Sequence, residues 1–183
     1  MDSMNLLIFG APGSGVSTLS ERLSDTLNLP CIALHTNQTP PDAGDPIPIR
    51  KEEYTELINQ INAKKGCLID GSPCLLNWEL GKLDGIIYLM TPKLQRLQRL
   101  REREIASQGT DILKEGCREF KVFNRYMYWV SQFDQAGIDR ESKILHQKLL
   151  NSLSIPIFKA NGLLSEEELT QQAFEWINEL NCY

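Results

Sequence analysis

Apolar residues along the chain alternate between short continuous runs and longer segments with helical spacing. The continuous runs are bounded by Gly, Pro, Asn or Asp, as is typical of buried parallel strands. They lie at 5–9, 31–34, 67–70, 85–90 and 155–160. The alternation of these runs with helical segments predicts a doubly wound α/β fold, in which helices flank a five-stranded parallel sheet.

The helical segments repeat apolar residues every three or four positions. Leu19, Leu23 and Leu27 form one such stripe, and the segments 51–65 and 119–135 carry two more. The last helix is expected to begin at Ser165, because Glu168 stands three residues later and completes a capping box.

Two segments interrupt the alternation. The stretch 36–49 is rich in Pro, Asp and Gly and predicts an irregular excursion after the second strand. The stretch 107–116 predicts a polar, hinge-like link between two helices. Long loops that follow parallel strands are where such folds place their sites.

Composition narrows the class of protein. The chain has 183 residues, 42% of them apolar and 23% charged, which fits a single globular domain over 1–183. A net charge of −5 argues against a nucleic-acid partner. No apolar stretch is long enough to cross a membrane, and the first residues lack a secretory leader. The oligomeric state is not predicted.

The five cysteines show neither an even count nor a C-x-x-C pair. Cys31 and Cys67 fall inside apolar runs, so we expect buried free thiols in the reducing environment of the cytoplasm. A zinc site is not expected, since His35 and His146 have no cysteine or acid at ligand spacing. His146 is interpreted as a helix-surface or core residue.

The segment "GAPGSGVST" (10–18) resembles the phosphate-binding loop G-x-x-x-x-G-K-[ST] in every position except Val16, where lysine is expected. A strand precedes it and a helix follows, so backbone amides and the helix N-terminus would surround a phosphate. The alternative is an ordinary strand-to-helix turn. The glycine order excludes a dinucleotide fingerprint. The candidate nucleotide ligands are Gly10, Gly13, Ser14, Gly15, Val16, Ser17 and Thr18.

Valine at position 16 separates two functions of the loop. The amides and the Ser17 hydroxyl, a candidate Mg²⁺ ligand, do not depend on that side chain. The ammonium group of the missing lysine would stabilise the negative charge that develops on the leaving phosphate. Removal of such a group lowers the rate of transfer by roughly 10²–10³-fold. Binding can therefore persist where fast transfer cannot.

Asp70 ends the apolar run "CLID" and is the second candidate Mg²⁺ ligand. Its alternative role is to cap the turn "DGSP". Arg96, Arg99 and Arg103 share one face of a predicted helix and could clamp phosphate or pair with Glu102 and Glu104 in solvent. A further basic candidate, which could contact phosphate or pair with neighbouring aspartates, is Arg140.

The chain resembles the P-loop nucleoside monophosphate kinases, of which adenylate kinase is the best known. "GAPGSGVST" matches that family's "GAPGSGKST" except at Val16, and "LIDGSP" is similar to its "DGFPR" strand end. "LREREIASQG" and "RESKILHQKLL" are similar to small adenylate-kinase-like proteins usually labelled AAA-family or P-loop ATPases.

This resemblance implies a three-layer P-loop kinase fold that binds ATP and Mg²⁺. It implies acceptor binding by 36–66 and a short lid at 104–118, with Arg99, Arg103 and Arg140 holding the transferring phosphoryl group. The chain departs from the family at Val16, at Cys74 in place of the arginine of "DGFPR", and at His35 in place of an acid.

Two functions are therefore expected. The first is phosphoryl transfer from ATP to a small nucleoside or nucleotide-like acceptor. The second is nucleotide binding without catalysis, in a regulatory protein that has lost the loop lysine.

Overall fold

We describe the protein from a computed structural model. The structure describes residues 4–34, 66–72, 83–138 and 140–180, and the single positions 55, 58, 59, 61 and 63. Elements are numbered in chain order over these residues. The strands are β1 (Asn5–Gly10), β2 (Cys31–Ala33), β3 (Cys67–Asp70), β4 (Gly85–Met90) and β5 (Ile157–Asn161). The helices are α1 (Val16–Leu27), α2 (Lys93–Gln108), α3 (Arg118–Ser131), α4 (Lys143–Ser152) and α5 (Glu166–Leu180).

The five strands form one parallel sheet in the order β2-β3-β1-β4-β5. The central strand is β1, and because helices and neighbouring strands surround it, its residues Leu6–Phe9 are fully buried. Its last residues pair with Asp70 of β3 and Leu89 of β4. The predicted α/β fold is confirmed, and the glycine loop begins at the middle of the sheet's carboxyl edge.

Helices cover both faces of the sheet, as the alternation along β1 requires. Leu6 and Ile8 pack with leucines of α1 and with α5, whereas Leu7 and Phe9 pack with Leu149 of α4. The result is a three-layer sandwich. No described helix is sufficiently long and apolar to span a bilayer.

Two strand boundaries differ from the predicted ones. The fifth strand begins at Ile157 rather than at 155, because Pro156 has no N–H and contributes only its carbonyl, which accepts from Ile86. The second strand ends at Ala33, and the next amide, that of Leu34, donates to the carbonyl of Asp70 at 2.6 Å.

The expectation of buried thiols is confirmed for Cys67 and wrong for Cys31, which is exposed at the start of edge strand β2. Although that residue is exposed, partial shielding of its sulfur raises the pKa of the Cys31 thiol to about 11. The charge of Asp70 raises this pKa further.

The link between α2 and α3 contains one buried apolar residue and is therefore not fully polar, as the sequence had predicted it to be. Its 3₁₀ turn, Thr110–Leu113, buries Ile112, which is 1% exposed. The link itself spans 109–117, within the segment 104–118 that is predicted to be a lid, since α2 continues to Gln108. The excursion 36–49 lies outside the described residues, as does most of the predicted helix 51–65.

The capping box of the last helix forms as predicted. The Ser165 hydroxyl accepts from the amide of Glu168, and the Glu168 carboxylate accepts from the Ser165 amide at 3.1 Å. Hydrogen bonds from Ser165 to the carboxylate lower the pKa of Glu168. Sequence alone located this helix start, since every partner lies within four residues.

The core contacts of α1 predict a large loss of stability on truncation. Leu23 is fully buried and Leu94 is 82% exposed. We expect Leu23→Ala to lower the free energy of unfolding by about 2–5 kcal/mol in urea titrations, because it leaves a cavity. The same change at Leu94 is the control, with an effect within about 0.5 kcal/mol. Equal effects would contradict the assigned layers.

Candidate phosphate-binding site

A cavity of about 1010 Å³ runs along the carboxyl edge of the sheet. The glycine loop, Gly10–Thr18, forms its floor. Arg99 and Arg103 line one side, and Asp70, Ser72 and Glu141 are also part of the wall. Its volume is at the upper end of the range for small-molecule sites.

The loop depends on two glycines with positive φ. Gly13 (φ 80°) and Gly15 (φ 99°) adopt backbone conformations that L side chains rarely take. A Cβ on Gly13 would lie 2.6 Å from the carbonyl oxygen of Arg96, so no other residue fits there. Between them, the Ser14 amide donates to the Ala11 carbonyl at 3.0 Å and closes the turn.

Two carbonyls of the loop accept hydrogen bonds from side chains at the end of β4 and on α2. The Thr91 hydroxyl donates to the Ser14 carbonyl at 3.1 Å, and Arg99 Nη1 donates to the same oxygen at 3.2 Å. Arg96 Nη1 donates to the Pro12 carbonyl at 3.4 Å. Because these carbonyls point at β4 and α2, the amides that follow are available to face the cavity.

Arg96 supports the structure of the loop, which differs from both predicted roles, a phosphate clamp and a solvent-exposed ion pair. Its side chain is 1% exposed and pairs with Asp134, so it neither clamps a ligand nor lies in solvent. Its Nε donates to the Thr91 carbonyl at 3.0 Å, and its guanidinium lies 5.2 Å from the centre of the Phe133 ring. The arginine joins α2, the segment after α3 and the loop.

Two features of the loop fit an anion. The amides of Val16, Ser17 and Thr18 lie in the first turn of α1, where no intrahelical acceptor exists. Ser14 lines the cavity, and its hydroxyl is buried and has no hydrogen-bond partner among the described residues. A buried unpaired hydroxyl costs free energy that a phosphate oxygen would recover.

Comparisons with known proteins find similarity in sequence and in fold. No family model matches the chain. "Uncharacterized protein YqaC" of Bacillus subtilis (strain 168) is 28% identical over 183 residues, covering 95% of this chain and 97% of that protein. The structure of deoxyadenosine kinase from M. mycoides with dCMP and dCDP is similar with a TM-score of 0.61 at 15% identity, covering 97% of this chain and 100% of that one. The structure of the same enzyme with dATP is similar with a TM-score of 0.55 at 14% identity, covering 96% of this chain and 100% of that one.

At these identities the structural likeness concerns the fold. The chain has a P-loop kinase-like fold.

Arg99 and Arg103 both reach the cavity of this P-loop kinase-like fold. Arg99 is held between the Ser14 carbonyl and the Gly162 carbonyl, at 3.2 and 2.9 Å, and lies beside Gly15. Arg103 is more exposed and pairs with Glu104 at 2.8 Å. An exposed pair of this kind is worth at most about 1 kcal/mol, so a phosphate could compete for Arg103.

Arg140 is not brought to the cavity. Its Nη2 donates to the Trp129 carbonyl at 2.7 Å, and its guanidinium lies 4.9 Å from the centre of that residue's ring. The structure therefore gives Arg140 a contact with α3, and its expected role at the transferring phosphoryl group has no geometric support.

Ser17 and Asp70 are the residues that would hold Mg²⁺ here. Ser17 is exposed at the start of α1, and Asp70 ends the strand next to β1, so both line the same cavity. Among the described residues there is no cluster of three or more His, Cys, Asp or Glu side chains. This donor set suits Mg²⁺, which commonly takes one or two carboxylates and completes its shell with water and phosphate oxygens.

Val16 is partly buried against the apolar cluster of α1, α5 and the sheet. Among the described residues, the basic group beside the loop at Gly15 is the Arg99 guanidinium, whose Nη1 would lie 3.7 Å from a Cβ built on that glycine. The other departures from the resembled family, His35 and Cys74, lie outside the described residues.

The sequence interpretation missed several polar residues of the cavity wall, among them Arg22, Ser72, Tyr126 and Glu141. Ser72 and Glu141 are buried, and the Tyr126 hydroxyl accepts from Arg103 at 3.1 Å. Burial raises the pKa of Tyr126, so its phenol stays neutral. Ser72 falls in "LIDGSP" and Glu141 in "RESKILHQKLL", whereas Tyr126 lies in a helical pattern that carries no signal for a site.

The support given by Arg96 is testable without a ligand. We expect Arg96→Ala to lower the free energy of unfolding by about 3 kcal/mol, because a buried ion pair is broken. Hydrogen exchange at the amides of residues 10–18 should also accelerate. Arg101→Ala, at an exposed position of the same helix, is the control. Unchanged exchange in the loop would show that Arg96 does not hold it.

Proposed function

We propose that the protein binds ATP with Mg²⁺ in this cavity and transfers a phosphoryl group to a small acceptor. The observation that carries the proposal is the loop itself. Its carbonyls are bonded outwards to Thr91, Arg96 and Arg99, while the amides of α1 and the Ser14 hydroxyl are left to meet an anion.

Each group has a role that follows from its position. The amides of Gly13 and of residues 15–18 hold the phosphates, as a preorganised set of donors. Ser17 and Asp70 hold Mg²⁺, which when bound neutralises charge on the phosphate oxygens. Arg99 places a fixed positive charge beside Gly15, and Arg103 adds a second at the rim.

The cavity has room for two molecules side by side. Gly162 and Leu164 line it at the β5 end, and Ala33 and Leu34 line it at the β2 end. The loop lies between these ends because β1 is central. We propose that the nucleotide base occupies the β5 end and the acceptor the β2 end, where the segment 36–66 follows.

A second function, nucleotide binding without catalysis, is favoured by one observation. The three arginines that line the described cavity already have partners: Arg22 bonds Glu166, Arg99 bonds two carbonyls, and Arg103 bonds Glu104. With valine at position 16, no described cation is free to follow the charge that develops on the leaving group. In this case the protein would signal its nucleotide state to a partner.

Restoring the loop lysine should tighten nucleotide binding. A charge-assisted hydrogen bond contributes about 1.5–3 kcal/mol, so we expect Val16→Lys to lower the Kd for Mg·ATP by about tenfold or more. Isothermal titration calorimetry on both proteins measures it. Val16→Met is the matched control, because it has a comparable length without the charge. Absence of binding by all three proteins would refute the nucleotide site.

Transfer is tested separately from binding. We expect slow ADP formation that depends on an acceptor, measured over a panel of nucleosides and nucleoside monophosphates. Ser17→Ala and Asp70→Asn should each reduce it by about 10²-fold or more, since both remove a metal ligand. Asp25→Asn, at an exposed position of α1, is the control. Binding without any transfer would support the regulatory function instead.

A further inference from the structure

Tyr126 of α3 and Arg103 of α2 meet at the wall of the cavity. Both residues line it, and Arg103 Nη2 donates to Tyr126 Oη at 3.1 Å. The two helices are consecutive in the chain and are joined by the link 109–117. The hydrogen bond therefore connects the two helices that flank this link, at a point that a ligand in the cavity can reach.

The phenol of Tyr126 has a proton to donate. Burial raises the pKa of Tyr126 and outweighs the lowering by the charge of Arg103, so the phenol is neutral at neutral pH. Its oxygen accepts from Arg103, and its O–H has no acceptor among the described residues. A phenol can accept and donate at the same time, and the bond that it accepts from a cation strengthens the bond that it donates.

Arg103 also has donors left for a ligand. Its Nε and Nη2 donate to Glu104 Oε1 at 3.2 and 2.8 Å, whereas its Nη1 has no partner among the described residues. The other oxygen of Glu104 accepts from Gln108 at 2.7 Å, which fixes the position of this acid. Because Nη1 and Nη2 share one carbon, Arg103 Nη1 and the Tyr126 hydroxyl are neighbouring donors.

The cavity wall as a whole does not select the charge of a ligand. Among the described residues, three arginines and three acids line it: Arg22, Arg99, Arg103, Asp70, Glu141 and Glu166. Selection must therefore come from local groups. A guanidinium and a neutral donor side by side suit an anion with several oxygens, and the planar guanidinium matches the geometry of phosphate.

The position of this donor pair relative to the glycine loop indicates which phosphate it can meet. Arg99 lies beside Gly15, and Arg103 follows it by four residues on the same face of α2. The two arginines are therefore about 6 Å apart along the helix axis. A phosphate held by the loop amides would lie next to Arg99, so the donor pair one turn farther on would meet a different phosphate.

We propose that Tyr126 binds a phosphate group directly, its O–H donating to an oxygen of a phosphate that Arg103 Nη1 also contacts. This inference rests on the proposed nucleotide site and deepens it. Two ligands carry such a phosphate outside the loop: a nucleoside triphosphate, through its terminal phosphate, and a nucleoside monophosphate bound as a second ligand. Both present the same oxygens to the donor pair.

The test measures binding by isothermal titration calorimetry in the full-length chain. We expect Tyr126→Phe to raise the Kd of the ligand that carries this phosphate by about tenfold, because a hydrogen bond to a charged group is lost. The matched control is Tyr128→Phe, since Tyr128 is 69% exposed on the same helix and is not among the described residues that line the cavity. Both variants keep the aromatic ring and therefore the packing of α3.

Three ligands distinguish the source of the phosphate. A higher Kd for Mg·ATP with an unchanged Kd for Mg·ADP assigns the contact to the terminal phosphate of the triphosphate. A higher Kd for AMP with unchanged values for Mg·ATP and Mg·ADP assigns it to the phosphate of a second ligand. Equal losses for Mg·ATP and Mg·ADP, or an equal loss for adenosine, which has no phosphate, overturn the inference.

A double-mutant cycle separates a direct contact from support of Arg103. If the phenol donates to the phosphate itself, Tyr126→Phe still raises the Kd in an Arg103→Ala background, by about threefold or more. If the phenol only holds Arg103 in place, the same change has no effect in that background. This second result overturns the direct role of Tyr126.

The outcomes separate this inference from the proposed function. Binding of Mg·ATP by the wild type, with Kd values in Tyr126→Phe within twofold of it for Mg·ATP, Mg·ADP and AMP, overturns the inference and leaves the nucleotide site intact. Absence of Mg·ATP binding by the wild type overturns both.

Discussion

The outward hydrogen bonding of the loop carbonyls is the constraint on which the candidate site depends. An amide and its neighbouring carbonyl point in opposite directions, so amides can face an anion only if the carbonyls find donors elsewhere. Thr91, Arg96 and Arg99 supply those donors from the end of β4 and from α2. None of these hydrogen bonds involves the side chain at position 16, so binding and catalysis can be considered separately.

The same constraint explains why Arg96 is buried. A guanidinium has five N–H donors, and here they reach the Thr91 carbonyl, the Pro12 carbonyl and the Asp134 carboxylate. A charge of this kind is costly in the interior unless it is paired and hydrogen-bonded. On α2, Arg96 therefore supports the loop, whereas Arg99 and Arg103 line the cavity.

Local patterns in the sequence were sufficient for the fold. Continuous apolar runs located all five strands, and the capping box located the start of α5, because those signals involve neighbouring residues. The pattern was wrong about the burial of Cys31, which lies in an apolar run and yet is exposed. This residue is exposed because β2 has no strand beyond it in the described sheet. The fifth strand was displaced by Pro156 for a similarly local reason.

The sequence by itself determined the glycine loop between strand and helix, the order of strands and helices, and the absence of the lysine at position 16. Only the tertiary structure decided which charged residues meet at that loop. Arg96, Arg99, Arg103 and Arg140 look alike along the chain, yet one is buried, two reach the cavity and one lies on Trp129. Glu141 lies in the quoted stretch "RESKILHQKLL", but its contact with His146, which in turn contacts Ser72, is decided by packing and not by a repeat or spacing.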